Sequence, residues 1–185
     1  MQIQVLPSHR FHNTGDLGRA FNRLGITDFP AACRYVQELP YGRTTDRADW
    51  LGVLRENRGS CSTKHALIKA LAAEIGISVA LYLGIFQMCE KNTPGVGKIL
   101  SNAGLKYTPE AHCYLKYRGH RIDLTGLSAS PAELEFLQET EIEVCQIGAF
   151  KVNYHQMFIK QWYGAAEFDR IWSLREACIA ALGTG

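Results

Sequence analysis

The sequence has no long hydrophobic run, no excess of charge of one sign and no low-complexity segment. Its most apolar stretch, residues 75–88, contains Gly76, Ser78, Gly84 and Gln87 and is too short to cross a bilayer. The 20 basic and 18 acidic residues are spread along the chain and give a formal charge of +2. The sequence therefore has no extended basic stripe of the kind that binds the phosphates of a nucleic acid. The sequence therefore predicts neither a membrane partner nor a nucleic-acid partner.

The first ten residues do not combine a basic segment, an apolar stretch and a small-residue cleavage site, so they do not predict a secretory signal. We therefore expect a cytoplasmic location. In a chain of this length without secretion, six cysteines are expected to be reduced thiols rather than a disulfide framework. They are Cys33, Cys61, Cys89, Cys113, Cys145 and Cys178.

Length and composition predict one globular domain over residues 1–185, with 46% hydrophobic and 21% charged residues. Apolar spacing and stop residues predict a mostly helical N-terminal half, with the strongest helix signal from Ser60 to Gly76. The other predicted helices cover residues 13–25, 27–40, 153–168 and 173–183. Predicted strands cover residues 78–86 and 141–147, with a hairpin at 111–126 and a loop at 41–59. The predicted class is α+β.

One cysteine lies where a polar turn meets the strongest helix, in the stretch NRGSCSTKHALIKALAAEIGI. In the first helical turn, free backbone amides and the helix dipole stabilise the thiolate of Cys61. The alternative is a small buried residue that packs the helix end, which is the commoner role of cysteine. Gly59 permits close approach of a substrate, and Ser60 and Ser62 keep the turn polar. This context favours a nucleophile.

A cysteine nucleophile needs a base and a group that orients the base, and the predicted hairpin supplies both. If Arg118 and Gly119 are the two turn residues, Tyr114 faces Asp123 on the opposite strand. His112 then lies on the same sheet face as Asp123, as a diagonal neighbour about 7–8 Å away at the backbone. That polar face comprises His112, Tyr114, Lys116, Arg121, Asp123 and Thr125. The carboxylate can therefore hold the imidazole.

Residues 55–126 resemble the transglutaminase-like superfamily of papain-like cysteine enzymes. The shared pattern is Gly-x-Cys at the start of a helix, His at the start of a strand and Asp on the next strand. The RGSC turn also resembles the Arg-Gly-x-x-Cys turn of arylamine N-acetyltransferases, though it is one residue shorter. The resemblance implies a papain/transglutaminase-like fold, with the nucleophile helix packed on an antiparallel sheet. It implies Cys61 as nucleophile, His112 as general base and acid, and Asp123 as the orienting residue.

Two features depart from or extend this pattern. Many transglutaminase-like enzymes have an aromatic residue directly after the cysteine, where this chain has Ser62. Papain-like enzymes commonly take one oxyanion donor from a side chain upstream of the nucleophile, and the candidates here are Asn57, Trp50 and Arg58. A second donor is the backbone amide of Cys61, which the helix start directs at the developing charge.

These residues predict a cysteine-nucleophile acyl-transfer enzyme, without a cofactor, that acts on a peptide, amide or other acyl substrate through a thioester. Peptidase, amidase and acyltransferase reactions all fit this description. A non-catalytic binding module that retains the fold is the first alternative. A zinc-binding protein is the second, because His65 lies four residues after Cys61 and could join His112 with Asp123 or Cys113. No familiar zinc-ligand spacing occurs, so we expect no metal.

Several other polar and aromatic residues have two interpretations. Arg43, Asp46, Arg47 and Asp49 either line a cleft that binds a charged substrate or form an internally paired, solvated loop. Tyr114 is a further substrate-binding candidate. Lys64, in the first turn of the nucleophile helix, is expected to be solvated or to add positive potential. An aromatic group is expected chiefly to pack a helix against the core, and it comprises Tyr154, Phe158, Trp162 and Tyr163.

Overall fold

The computed structural model describes residues 3–11, 15–127 and 134–182, which form an α+β fold with seven α-helices and one four-stranded antiparallel sheet. This confirms the predicted class. The helices are α1 (Asp16–Arg23), α2 (Phe29–Glu38), α3 (Gly52–Glu56), α4 (Cys61–Glu74), α5 (Gly97–Asn102), α6 (Ala149–Tyr163) and α7 (Phe168–Leu182). The strands are β1 (Ala80–Met88), β2 (Thr108–Tyr117), β3 (His120–Ile122) and β4 (Phe136–Ile142), in the order β3-β2-β1-β4.

The N-terminal helices follow the predicted pattern. Asp28 caps α2 by accepting a hydrogen bond from the Ala31 amide at 2.8 Å. The carboxylate of Glu74 accepts hydrogen bonds from the amides of Leu17 and Gly18 at 3.0 and 2.8 Å, which ties the start of α1 to the end of α4. Residues 13 and 14 of the predicted first helix lie outside the described residues.

Helix α4 begins at Cys61 itself and ends before Gly76, which has a φ of 75°. Ser60 is the N-cap residue, and its amide donates to Thr63 Oγ1 at 3.1 Å. The helix is buried along most of its length and packs on the sheet as part of the main hydrophobic core. The strongest sequence signal therefore corresponds to the central helix of the fold.

The hairpin that carries the predicted base has the predicted register. Arg118 and Gly119 have φ angles of 48° and 80°, as in the two-residue turn that matches the twist of paired strands. Tyr117 pairs with His120, and Leu115 pairs with Ile122. The predicted Tyr114–Asp123 pair would continue this register by one residue beyond the end of β3.

Several elements differ from the predictions. Helix α3 lies within the predicted loop, and α5 was not predicted. The fourth strand is Phe136–Ile142, so only the first two residues of the predicted strand at 141–147 belong to it, and a 3-10 turn follows at Val144–Gln146. Helix α6 ends at Tyr163 because Gly164, with a φ of 85°, breaks it, and α7 begins five residues before the predicted start. Residue 183 of that predicted helix lies outside the described residues.

The aromatic group packs as predicted only in part. Tyr154 and Phe158 lie against the main core, whereas Trp162 is 44% exposed and stacks on Phe158. In the described ranges, no helix combines the length and apolarity needed to cross a bilayer.

Candidate active site

Cys61 lies at the junction of the helix start and two cavities. Its side chain is only 4% exposed, yet it lines both cavities. The first residue of a helix has an amide without an intrahelical partner, and the dipole favours negative charge at this end. The sulfur is therefore buried among polar groups, with access from two sides.

His112 and Asp123 are in contact, as the hairpin geometry predicts. The imidazole Nε2 lies 3.1 Å from Asp123 Oδ2. The other carboxylate oxygen accepts a hydrogen bond from the Thr125 amide at 2.7 Å. The Asp123 carbonyl accepts a further bond from the side chain of Gln37 at 3.1 Å. The backbone amide of Thr125 thus holds the Asp123 carboxylate in place, and the carboxylate can hold the ring of His112 in one orientation.

Two adjacent residues of β2, His112 and Cys113, are coupled electrostatically to the sulfur of Cys61: both lower the pKa of its thiol, and the sulfur in turn raises the pKa of both. These residues point to opposite faces of the strand. Strand β3 pairs with β2 only over Leu115–Tyr117, and α4 packs on β2.

A lysine that the sequence analysis did not identify completes the site. Lys151 Nζ, from α6, lies 3.3 Å from Cys61 Sγ and 2.7 Å from Ser62 Oγ. Although burial opposes its charge, the neighbouring sulfur atoms of Cys113 and Cys61 raise the pKa of Lys151. The site therefore has a second cation beside the sulfur, contributed by an element far away in sequence.

These contacts stabilise a thiolate and an imidazolium. The Cys113 hydrogen bond, the charge of Lys151 and the bond from His112 hold the pKa of Cys61 well below its ordinary value, although burial opposes them. Burial also disfavours a charged imidazole, but Asp123 and the Cys61 sulfur outweigh it and raise the pKa of His112 to about 10. His112 therefore carries its proton at neutral pH, and the same surroundings favour the thiolate form of Cys61.

His65 is a structural link between the nucleophile and the orienting residue. Its Nδ1 lies 2.6 Å from the Cys61 carbonyl oxygen, and its Nε2 accepts a bond from the Leu124 amide at 2.7 Å. Both ring nitrogens are thus occupied by backbone groups, and Nε2 carries no proton. Burial lowers the pKa of His65 to about 4, so the ring is neutral. Its approach of 3.5 Å to Asp123 Oδ1 is therefore not an ion pair.

The prediction of a solvated Lys64 is wrong. The residue is fully buried, and its Nζ donates to the carbonyl oxygens of Gln37, Leu39 and Thr125 at 3.4, 2.5 and 3.0 Å. These carbonyls come from the end of α2 and from the segment after Asp123. Burial lowers the pKa of Lys64 to about 8. Lys64 is therefore a structural cation behind the helix start.

Of the three candidate oxyanion donors, Arg58 is the one that lines a cavity together with Cys61. Asn57 is exposed, has a left-handed backbone and accepts a hydrogen bond from the Tyr35 hydroxyl at 3.4 Å. Trp50 packs against the main core. The structure therefore does not bring Asn57 or Trp50 into the two cavities.

In the loop at 43–49, some residues line a cavity and others pair within the loop, so both interpretations hold in part. Arg43 and Arg47 line the larger cavity, and Arg43 pairs with Glu176 of α7 at 2.8 Å. Asp46 accepts a bond from the Ala48 amide at 2.8 Å within its own loop, and Asp49 pairs with Arg55. The basic residues therefore face the cavity, while the acidic residues stabilise the loop.

Tyr114 lies beside the site without lining either cavity. Its hydroxyl donates to Glu139, and its ring stacks on Phe136 with centroids 5.0 Å apart. Burial and the Glu139 contact raise the pKa of its hydroxyl above the ordinary value. Tyr114 therefore supports the sheet face that carries His112.

Two cavities meet at the sulfur. The larger has a volume of about 680 Å³ and contains Lys151 in its wall, whereas the smaller, of about 90 Å³, contains His112 and Asp123. The described residues contain no group of three or more side chains placed to hold a metal ion.

Comparison of this chain with protein-family models, with curated proteins and with solved structures finds no match.

Proposed function

We propose that this protein is a cysteine-nucleophile acyl-transfer enzyme with a papain/transglutaminase-like fold, in which Cys61, His112 and Asp123 form the triad. The observation that carries the proposal is that Cys61, at a helix start, lines one cavity together with His112 and Asp123, whose side chains are in contact at 3.1 Å. The sequence resemblance over residues 55–126 supports the fold, as does the packing of α4 on an antiparallel sheet.

The first step forms the thioester. The Cys61 thiolate attacks the carbonyl carbon of an amide, and the carbonyl π pair moves to oxygen. The free amide of Cys61 and the ammonium of Lys151 are the groups beside the sulfur that can stabilise this oxyanion. When the intermediate collapses, the C–N bond breaks and His112 donates its proton to the leaving amine.

The second step releases the product. Water or an amine attacks the thioester carbon while His112, now neutral, takes the proton of the attacking group. The C–S bond then breaks and restores the thiolate. Two of the influences that raise the pKa of His112 come from the Cys61 sulfur, so acylation lowers this pKa and makes the ring a better base.

All six cysteines lie within the described residues and are free thiols, which supports a reducing, cytoplasmic setting. In the same proposal, the substrate is a peptide, amide or other acyl compound. Lys151 takes the place of the upstream side-chain donor among the oxyanion candidates.

The test is the rate of iodoacetamide labelling of each cysteine against pH, resolved by peptide mass. We expect Cys61 to react fastest at and below pH 7, and to lose this advantage in His112→Ala and, in part, in Lys151→Met. Cys145, which is exposed and outside the site, is the internal reference. A chelator should change nothing.

Two results would contradict the proposal. Equal labelling of Cys61 and Cys145 at every pH would favour the non-catalytic binding module. Labelling of Cys61 that appears only after chelation would favour the zinc-binding protein.

A further inference from the structure

The two cavities that meet at Cys61 differ in charge. The wall of the larger cavity has five cationic side chains, two carboxylates and the Cys61 sulfur, an excess of two positive charges when that sulfur is a thiolate. The cations are Arg43, Arg47, Arg58, Lys151 and Arg175, and the carboxylates are Glu110 and Glu176. His155 adds no charge, because burial lowers its pKa. The smaller cavity has Phe86, Met88 and Leu134 in its wall.

The two carboxylates are already paired, so they do not cancel the remaining cations. Arg175 donates to both oxygens of Glu110, with N–O distances of 2.5 Å. Glu176 accepts from Arg43 at 2.8 Å and from Arg175 at 2.6 Å. Arg43 and Arg175 therefore neutralise Glu110 and Glu176 within the wall.

Two cations of the wall, Arg47 and Arg58, remain for a ligand. Arg58 has only a long, exposed contact of 3.7 Å with Glu56. Within the described residues, Arg47 forms no ion pair and is exposed at the cavity mouth. Guanidinium groups bind carboxylate and phosphate oxygens through paired hydrogen bonds. The third cation, Lys151, is in contact with the sulfur.

The position of His112 assigns the two halves of the substrate to the two cavities. His112 must reach the atom that leaves, so the leaving group lies on the side that contains this ring. His112 lines the smaller cavity and not the larger. The acyl portion then occupies the larger, basic cavity, whose volume of about 680 Å³ is typical of small-molecule sites.

We propose that the acyl portion of the substrate carries an anionic group, a carboxylate or a phosphate, which Arg47 and Arg58 bind in the larger cavity while the leaving amine departs along the smaller one. This inference rests on the proposed function, because it assigns the two cavities from the acylation step.

The first experiment compares iodoacetate, which is anionic, with iodoacetamide, its neutral counterpart, at Cys61 of the whole protein. The ratio of the two alkylation rates, divided by the same ratio for glutathione, measures anion preference independently of acyl transfer. We expect a normalised ratio of about 10 or more at low salt, falling toward 1 at high salt. Arg47→Gln/Arg58→Gln should lower it several-fold, whereas Arg55→Gln, an exposed arginine outside the cavity, should not.

The second experiment uses the S-methyl thioesters of glutarate and pentanoate, which differ in the terminal carboxylate and have a small leaving group. Intact mass follows acylation of Cys61. We expect the glutaryl compound to react about 10-fold faster or more. Glutarate and inorganic phosphate, added separately as competitors, distinguish a carboxylate from a phosphate as the preferred anion.

The outcomes separate the two proposals. Rapid alkylation and acylation of Cys61 with no preference for the charged reagents would overturn the anionic substrate and leave acyl transfer standing. If Cys61 is alkylated no faster than the other cysteines and neither thioester acylates it, acyl transfer itself is overturned.

Discussion

Two histidines lie beside the same carboxylate in opposite charge states. His112 Nε2 is 3.1 Å from one oxygen of Asp123, and His65 Nε2 is 3.5 Å from the other. Their ring centroids are 6.2 Å apart. Yet the pKa of His112 is raised to about 10, while that of His65 is lowered to about 4.

The difference lies in the remaining partners of each ring. The second partner of His112 is the Cys61 sulfur, an acceptor that stabilises a proton on the ring. The Nε2 of His65 receives an amide proton from Leu124 and so cannot carry its own. A nearby carboxylate is therefore not sufficient to charge a buried imidazole. The remaining hydrogen-bond partners of each ring and the desolvation cost decide the charge state.

The largest effect is expected from His112→Ala, which removes the charged member of the pair. The variant loses the proton donor for the leaving amine and one stabilising contact of the thiolate, so kcat should fall about 10⁴-fold. The midpoint for alkylation of Cys61 should move to higher pH. His120→Ala, an exposed histidine of the same hairpin, is the control, and a similar loss there would indicate a folding defect.

Asp123→Asn keeps the shape of the shared side chain but removes its charge. The pKa of His112 should fall from about 10, because Asp123 is its main favourable influence after the burial penalty. Since His112 acts in its protonated form, the alkaline limit of kcat/KM should move to lower pH, with kcat reduced about 10²- to 10³-fold. A profile that keeps its alkaline limit would contradict the orienting role.

His65→Gln tests the neutral member. Two buried backbone groups, the Cys61 carbonyl and the Leu124 amide, lose optimal partners, so the free energy of unfolding should fall by about 2–4 kcal/mol in urea titration. The limits of the pH–rate profile should stay in place, because His65 is neutral throughout. A moved limit would mean that His65 takes part in the proton transfers.

The smallest expected effect is on the pH dependence of the free energy of unfolding. The folded pKa of His65, about 4, lies below its ordinary value of 6.5, so between these values the unfolded chain binds a proton that the folded chain does not. Stability is therefore lost as pH falls from about 6.5 to 4, by at most about 3 kcal/mol. Urea unfolding of wild type and His65→Gln across this range should show a flatter dependence in the variant.

The charged pair should add no slope at neutral pH. Between pH 6.5 and 9.0, the ordinary pKa values of histidine and cysteine, the folded protein holds one proton on His112 and the unfolded chain holds one on Cys61. Because the pair binds one proton in each state, it contributes no pH dependence to the free energy of unfolding there. Stability that changes steeply across this window in wild type but not in Cys61→Ala would contradict the thiolate–imidazolium state.

The helix start at Cys61 and the contact of His112 with Asp123 were predictable because they depend on local rules: a capped helix start and a two-residue turn with alternating strand faces. Lys151 was not predictable, since its contact depends on how α6 packs 90 residues further along the chain. The burial of Lys64 was missed for the same reason. Its first-turn position is usually solvated, and its acceptors come from two other segments.

The fold shows the same contrast between features set by local sequence and features set by long-range packing. Helices with strong caps and stops, such as α2 and α4, lie close to their predicted bounds. Strand β4 is mostly exposed and has a polar sequence, FLQETEI, so its pairing with β1 is set by the neighbouring strand and not by its own apolar pattern. Helix α5 has only six residues, too few for a clear periodic signal.

The buried ammonium of Lys64 joins the end of α2, the first turn of α4 and the segment after Asp123. Local opening of any of these segments would leave carbonyl groups without a donor inside the protein, so the three should open together. Amide hydrogen exchange in them is then governed by a single opening event. The nucleophile and the carboxylate that orients its base are kept or lost as a unit.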